Sequence, residues 1–545
     1  MALRLDGGAR LRRTAASRAG FVALATALYL AAGVSATWPR VADSFTSDFL
    51  SGGAPGHGEA AAGDHLQVTY HFWLVGHQLE HGRAPWRDPY TFRPESKPVL
   101  NLQGWPFGIP FWPLRALFGT VVAWNALVLL LYVAAGLLAC AWLRELGLPR
   151  GPALVGGLAF ALAPYRANQS VGHLLGPISI LLPLALLGFE RARRGGWGWL
   201  ALAAVSLASI PLSGQVHLAL GAIPFVCAYG IARARRPREL LGVVVALALA
   251  VAAGVLVQET SISHSVLAGG RSLHAVKHYS AGLGDFVARR KTDTEKFVFL
   301  GWLTPIAAAA GLALLWRDGR RGLALVLGLG ALVPMLLALG TNLPLYTAVW
   351  HAFKPFRYPR VPERLMPLAC LCLAALVAFA VARLSRRHAL LVPVAALALV
   401  GADLHARLYG ASEADETNAA YAALRGAPPG RLLELPVFLP DIHYGSVYHY
   451  YDMQALRQRP LGYSTLAPVA ADELARRLRA LNCGRARDLA LLRRLGVRYV
   501  AVHAPMYEHT GLVPPACQAQ AERGLARLGL RRLVSGGPIE LWSFP

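Results

Sequence analysis

Charge is what this 545-residue chain has least of. Asp, Glu, Lys and Arg make up 15% of it, against roughly 25% in a soluble globular protein. Hydrophobic residues reach 55% and the mean hydropathy is +0.42. An ordinary soluble fold is excluded. Acidic residues are scarcer still, 30 against 54 Lys and Arg, which leaves a net charge of +24. That excess does not imply a nucleic-acid partner, because the cations are scattered among short gaps instead of gathered on one folded basic unit. The polar C-terminal part has no glycine-rich phosphate loop, Walker motif or zinc-ligand spacing, and the chain shows no low-complexity tract or internal repeat. Cys140, Cys227, Cys370 and Cys372 fall in apolar stretches as small buried thiols. Cys483 and Cys517 fall in the polar C-terminal part, where they read equally as a disulfide or as two buried thiols.

What is present in abundance is long apolar sequence. A membrane span needs roughly 20 apolar residues. About eleven stretches approach that, near 20–37, 119–143, 151–164, 176–190, 197–213, 215–231, 240–257, 297–316, 322–340, 365–382 and 388–402. Every second gap carries an Arg cluster: Arg10, Arg12, Arg13 and Arg18; Arg144 and Arg150; Arg191, Arg193 and Arg194; Arg233, Arg235, Arg236 and Arg238; Arg317, Arg320 and Arg321; Arg383, Arg386 and Arg387. Loops beside spans carry Lys and Arg mainly on the cytoplasmic side, so these gaps and the N-terminus are expected there. The first stretch then reads as an uncleaved signal anchor. An odd number of spans leaves the C-terminal part outside the plasma (inner) membrane.

The expected organisation is a polytopic α-helical membrane domain over 1–402, with a first extracytoplasmic loop at 38–106, followed by a soluble extracytoplasmic α/β domain over 403–545. Within the first loop, Val68, Phe72, Val75 and Leu79 recur at helical spacing, with Gln67, His71 and Gln78 on another face. Aromatic residues between them suit a helix lying along the membrane surface. Gly104 to Phe118 is apolar but broken by Pro106, Pro110 and Pro113, which suggests a re-entrant or interfacial piece leading into the second span. In the C-terminal part, 432–437 and 497–502 read as strands and 471–481 and 486–495 as helices. Segments 530–534 and 539–543 read as a hairpin turning at Gly536-Gly537.

Candidate chemistry lies in the outer gaps. Asp64, at the start of the loop helix, reads either as a helix cap or as a general base or metal-binding carboxylate near the membrane. Asp43 and Asp48 compete for that role. His65, His71, His77 and His81 crowd the same helix, and His77 and His81, one turn apart, are weak candidates for a divalent ion such as Mg or Mn. Lys354, Arg357, Arg360 and Arg364 put four cations in an outer loop, against the positive-inside bias. A phosphate or pyrophosphate at headgroup depth would balance them, and so would acidic lipids or carboxylates of the C-terminal part. Arg289, Arg290 and Lys291 are a weaker instance, because Asp293 and Glu295 follow. Tyr165, Arg166, Asn168, Gln169, His173, Gln215, His217, Gln258 and Glu259 sit at the outer ends of several spans. Polar groups at that depth tend to face a cavity.

These features together resemble the GT-C superfamily of integral-membrane glycosyltransferases. The phrases that carry the resemblance are Gly157 to Arg166, His173 to Arg191, Arg271-Ser272-Leu273 with Tyr279-Ser280-Ala281, and Phe356 to Arg364. Leu433-Glu434-Leu435-Pro436, Leu461-Gly462-Tyr463-Ser464 and Gly496-Val497-Arg498-Tyr499 add to them. The resemblance implies inverting transfer of a sugar from a polyprenyl-phosphate donor to a glycan, lipid or protein acceptor outside the membrane. It maps the first-loop acid onto Asp64 and the donor phosphate onto Arg357, Arg360 and Arg364. Many relatives pair that acid with a second one; here the neighbour is His65, so Asp64, Asp43 and Asp48 all stay open. A lipid-linked sugar flippase and an inactive scaffold of the same fold are the competing readings.

Overall fold

The computed structural model describes residues 6–93, 99–291, 294–485 and 489–545, with side chains from residue 18 onward. The side chains of Arg10, Arg12 and Arg13, residue Asp293, and the first residues of the helix expected from Ala486 lie outside the described residues.

All eleven apolar stretches are helical, and the protein is a polytopic helical membrane protein. Among the described residues, seven helices are long and apolar enough to cross a membrane. They lie at Arg18–Thr37, Thr120–Glu145, Leu175–Ala192, Val216–Arg233, Pro237–Ile262, Arg321–Ala338 and Pro362–Leu384. Shorter apolar helices occupy the other four stretches. In chain order the helices used below are α1 (Asp6–Thr37), α2 (Asp64–Glu80), α3 (Gly108–Phe118), α4 (Thr120–Glu145), α5 (Arg150–Leu162) and α6 (Leu181–Ala192). Next come α7 (Trp197–Leu212), α8 (Val216–Arg233), α9 (Pro237–Val257), α10 (Leu303–Arg317), α11 (Arg321–Ala338), α12 (Met366–Leu384) and α13 (Leu391–Leu404).

Helix α12 is the axis of the bundle, buried from Met366 to Val381 and packed on α5, α10 and α11. Small residues permit this closeness. A Cβ at Gly311 in α10 would come 2.0 Å from the Leu376 carbonyl oxygen. The expected span from 297 instead begins at Leu303, because the chain turns at Gly301 (φ +85°) and Asp403 caps the new helix. Asp403 accepts from the backbone N–H groups of Trp302, Leu303 and Thr304 at 2.8, 3.1 and 2.9 Å, satisfying donors that a helix start leaves open.

The Arg-rich gaps meet at one end of the bundle and find partners there. Glu190 accepts from Tyr229 at 2.6 Å, Arg233 at 2.7 Å and Arg193 at 2.8 Å, while Arg191 pairs with Glu145 at 3.0 Å. Arg320 reaches the Leu146 carbonyl at 3.3 Å.

At the other end the first loop and the C-terminal part interlock. Strand β1 (Asp48–Ser51) pairs antiparallel with β4 (Gly410–Glu413), beyond β2 (Arg87–Asp88) and β3 (Val99–Leu100), which pair with each other. A four-stranded sheet follows in the order β5 (Arg431–Leu435), β6 (Val497–His503), β8 (Ile539–Ser543), β7 (Arg531–Val534). The β5–β6 pair is parallel and the other two are antiparallel. The period of two divides the strands between two cores. Leu432, Tyr499 and Ala501 face the main core shared with the bundle. Leu433, Val500 and Val502 face a second core closed by α15 (Val469–Leu478), α16 (Leu489–Arg494) and α17 (Cys517–Arg527), which follow α14 (Ser446–Asp452). Cys483 and Cys517 form a disulfide, which decides the alternative that the sequence left open.

The loop helix α2 differs from its expected form. It is not an amphipathic surface helix: twelve of its seventeen residues are buried, including His65 and His71, because α3 and α14 cover it. Glu59, just before it, is held by His503 at 2.6 Å, and Gln67 donates to the Tyr463 carbonyl at 3.0 Å.

Candidate active site

Asp64 is the first residue of α2, behind an extended Gly63. Its carboxylate does not cap the helix. It turns instead into a cavity of about 160 Å³ at the end of the bundle opposite the Arg clusters. His173 Nε2 lies 3.0 Å from Asp64 Oδ2, and the Tyr463 hydroxyl donates to Oδ1 at 2.7 Å. His173 is itself oriented by Gln169 Oε1, 2.8 Å from Nδ1. Burial pushes the Asp64 carboxyl up, but the His173 bond and charge and the Tyr463 bond outweigh it. They hold the acid well below the usual carboxylate range.

A second acid–base pair adjoins the first. Glu295 Oε1 lies 2.9 Å from Arg364 Nη2 and 4.0 Å from His173 Nε2. Burial raises the Glu295 carboxyl, yet Arg364 and His173 hold it down at about 2. The cavity is also lined by Gln215, His217, Arg271, Tyr358 and Arg360. Arg360 stacks over Tyr279 at 5.0 Å. Burial and the neighbouring Arg360 press Arg271 down to about 10. Among the described residues, no carboxylate stands within ion-pair distance of Arg271 or Arg360. Two crowded, uncommitted guanidinium groups facing a cavity make an anion site.

Of the expected site residues, Asp64, His173, His217, Arg360 and Arg364 come together here. The others do not. Asp43 ends a short helix after the first span, and Asp48 lies in β1, where Ser47 donates to it at 2.8 Å. Arg357 lies over Trp350 and donates to the Trp350 and His351 carbonyls at 3.2 Å each, so it serves its own loop. Lys354 is exposed at the loop's far side. Arg364 lines the cavity but is taken by Glu295. Arg166 is wholly buried against the Tyr132 ring and donates to the Phe160 carbonyl at 3.0 Å, so it closes the end of α5. Tyr165 is buried beside it and does not line the cavity. Glu259 is exposed.

His77 and His81 do cluster with Glu80, their ligand atoms within 4.8 Å of one another. His77 Nε2 is however 2.7 Å from the Tyr90 hydroxyl, and Glu80 accepts from Trp112. The group also lies at the far end of α2, about 20 Å along the helix from Asp64. Tyr463, Arg271 and Glu295 were not picked out as site residues from the sequence. Tyr463 and Arg271 sit in phrases that carried the resemblance, whereas Glu295 read as balancing its neighbouring cations.

Solved structures with this architecture exist. Arabinofuranosyltransferase AftD from Mycobacteria superposes on 96% of this chain with a TM-score of 0.59 and 18% identity; the chain spans 39% of that protein's length. The oligosaccharyltransferase of Archaeoglobus fulgidus in the apo form matches 89% of this chain and 69% of its own, with a TM-score of 0.51 and 12% identity. ArnT from Cupriavidus metallidurans matches 97% and 98% respectively, with a TM-score of 0.48 and 14% identity. No family profile and no curated protein matches the sequence. The first two matches show that the chain shares its fold with membrane glycosyltransferases of the GT-C type.

Proposed function

We propose that this protein is an inverting glycosyltransferase of the plasma (inner) membrane, moving a sugar from a polyprenyl-phosphate donor to an acceptor hydroxyl on the extracytoplasmic side. The observation that carries the reading is one cavity holding an ionised acid, Asp64, together with the free cations Arg271 and Arg360. The fold supports it, and so does the Cys483–Cys517 disulfide, which belongs in an oxidising compartment. In this reading 1–402 form the membrane unit, and 403–545 the outer unit that supplies Tyr463.

The donor phosphate lies against Arg271 and Arg360. Cleavage of the bond from the anomeric carbon to the phosphate oxygen sends its electron pair to the phosphate, where those two guanidinium groups meet the growing charge. The acceptor oxygen forms its bond to the opposite face of the anomeric carbon, and its proton passes to Asp64. A carboxylate held this low is a weak base. It suffices because the proton leaves late, from an oxygen already bonded to the sugar and therefore strongly acidic. His173 and Tyr463 keep both Asp64 oxygens in place, and Glu295 keeps Arg364 from competing for the phosphate.

Purified protein assayed with a panel of polyprenyl-phosphate sugars tests this. Wild type consumes one donor. Asp64→Asn still binds it but turns it over about 10²–10⁴-fold more slowly, and Arg360→Ala loses about 10²–10³-fold. Donor binding without product in wild type, with labelled lipid crossing the bilayer, would replace transfer by transport.

A further inference from the structure

Beside the Asp64 cavity lies a larger groove of about 620 Å³, within the range of small-molecule sites. Gln103, Gly214, Val257, Tyr463 and Leu466 line both spaces and form the wall between them. Tyr463 is also the residue whose hydroxyl holds Asp64 Oδ1, so an occupant of the groove rests against the acid's own partner.

The described residues that line the groove are polar with little charge. Among the described residues no Lys or Arg lines it, and its one carboxylate is spent. Asp88 Oδ1 accepts from the Tyr90 and Thr91 backbones at 2.9 and 3.3 Å, and Oδ2 from the Tyr70 and Thr91 hydroxyls at 3.0 and 2.9 Å. The Asn101 amide is spent on His71 and on the Gln103 backbone, so the Gln103 amide, the hydroxyls of Thr260, Ser261 and Ser464 and the imidazoles of His71, His264 and His449 make up the rest of the polar lining.

His71 is the most informative of these. It is 3% exposed, and its Nδ1 accepts from the Asn101 amide at 2.9 Å, which leaves Nε2 as an N–H donor. That buried donor closes no well-formed hydrogen bond, although the Gln103 side chain interacts with the ring. Burial, and then the nearby His449, hold the ring's pKa down at about 3 against the opposing effect of Gln103, so it is a neutral donor at physiological pH. His449 is likewise held at about 4 by burial, and its Nε2 accepts from the Tyr463 backbone at 2.9 Å. A buried donor left open beside a groove is a position that a ligand oxygen can take.

Resting on the glycosyl-transfer reading above, the geometry points to this groove as the seat of the acceptor, and to an uncharged saccharide as the acceptor's class. An anionic acceptor would find no cation among the described residues, and a cationic one no free carboxylate. Sugar oxygens, which accept and in the hydroxyls also donate, match the Gln103 amide, the hydroxyls and the His71 N–H. The nucleophilic hydroxyl reaches Asp64 past Gln103 and Tyr463.

The test is binding of three probes to the full chain in nanodiscs: octyl glycosides of neutral sugars, octyl glucuronide, and a short Asn-containing peptide. Neutral glycosides bind wild type, and His71→Phe weakens them about tenfold, the loss of one hydrogen bond. Ser261→Trp, at the rim, blocks them without touching the buried wall. Tighter binding of the glucuronide or peptide, or unchanged binding in both variants, overturns the proposal. Donor turnover separates the two readings. Wild type that turns over donor but binds no neutral glycoside sinks only the acceptor class. Wild type that binds neutral glycosides but transfers nothing sinks catalysis and leaves the groove.

Discussion

Burial alone would drive the Asp64 carboxyl toward its neutral form; His173 and Tyr463 keep it ionised. An acid with a lowered pKa loses its charge only as pH falls through that low value, so Asp64 contributes no acidic limb in the ordinary assay range. His173→Ala removes the main counterweight and leaves burial in charge. The variant should therefore show an acidic limb in its pH–rate profile at higher pH than wild type, with a depressed plateau. Coincident limbs would mean that His173 does not set the charge of Asp64. Tyr463→Phe should move the limb the same way by less. At this scale the sequence was partly legible. Asp64 was readable because an acid opens the loop helix, Arg360 because cations in an outer loop oppose the positive-inside bias, and His173 and His217 because a polar side chain at the end of an apolar stretch is costly and needs a reason. Arg166 satisfied the same criterion and was misread, since an Arg that caps carbonyls and an Arg that faces a cavity look alike in one dimension. Glu295 was hidden by its own neighbours. Its partner, Arg364, lies 69 residues away.

Between residues and the whole molecule, the elements divide by how local their causes are. Eleven apolar stretches became eleven helices because the requirement that backbone groups bond internally acts on each stretch alone. The strands of the C-terminal part take their backbone partners from other strands, but their alternation, which fixes one face to each core, is local. Helix α2 was readable as a helix but not as a buried one. Its periodicity marks its most apolar face, whereas its burial comes from α3 and α14, more than one of which is distant in sequence or broken by proline. The start of α10 was misplaced because its cap is borrowed from Asp403 at the end of α13, 100 residues on from Leu303. Asp403→Ala should cost about 1–2 kcal/mol, read as a lower Tm in detergent, with donor affinity unchanged. Asp403→Asn should recover part of the loss. A variant as stable as wild type would show that solvent can satisfy the start of α10 instead.

For the molecule as a whole, the proposed orientation rests on which end carries the excess of Arg and which carries the disulfide. The Arg clusters gather at one end of the bundle. Even after Glu145, Glu190 and Glu239 have taken Arg191, Arg193 and Arg233, that end keeps a large excess of cations. The positive-inside bias acts on such loops during insertion, before any tertiary contact forms, so pairing in the finished fold does not weaken the argument. The opposite end holds the Asp64 cavity, the sheet and the Cys483–Cys517 bond. The strand pair β1–β4 joins the first loop to the chain after α13, so both must lie on one side of the membrane. With the native cysteines outside the disulfide replaced, two exposed positions report the sides. Leu512→Cys should react with an impermeant maleimide in intact cells, and Arg387→Cys only after the membrane is opened. The native disulfide should persist in protein extracted under thiol-blocking conditions. The reverse labelling pattern would place the cavity in the cytoplasm. There an acceptor would meet donors still on the inner leaflet and the disulfide would be reduced, so the reading of this site as an outward-facing transferase would fall with the topology.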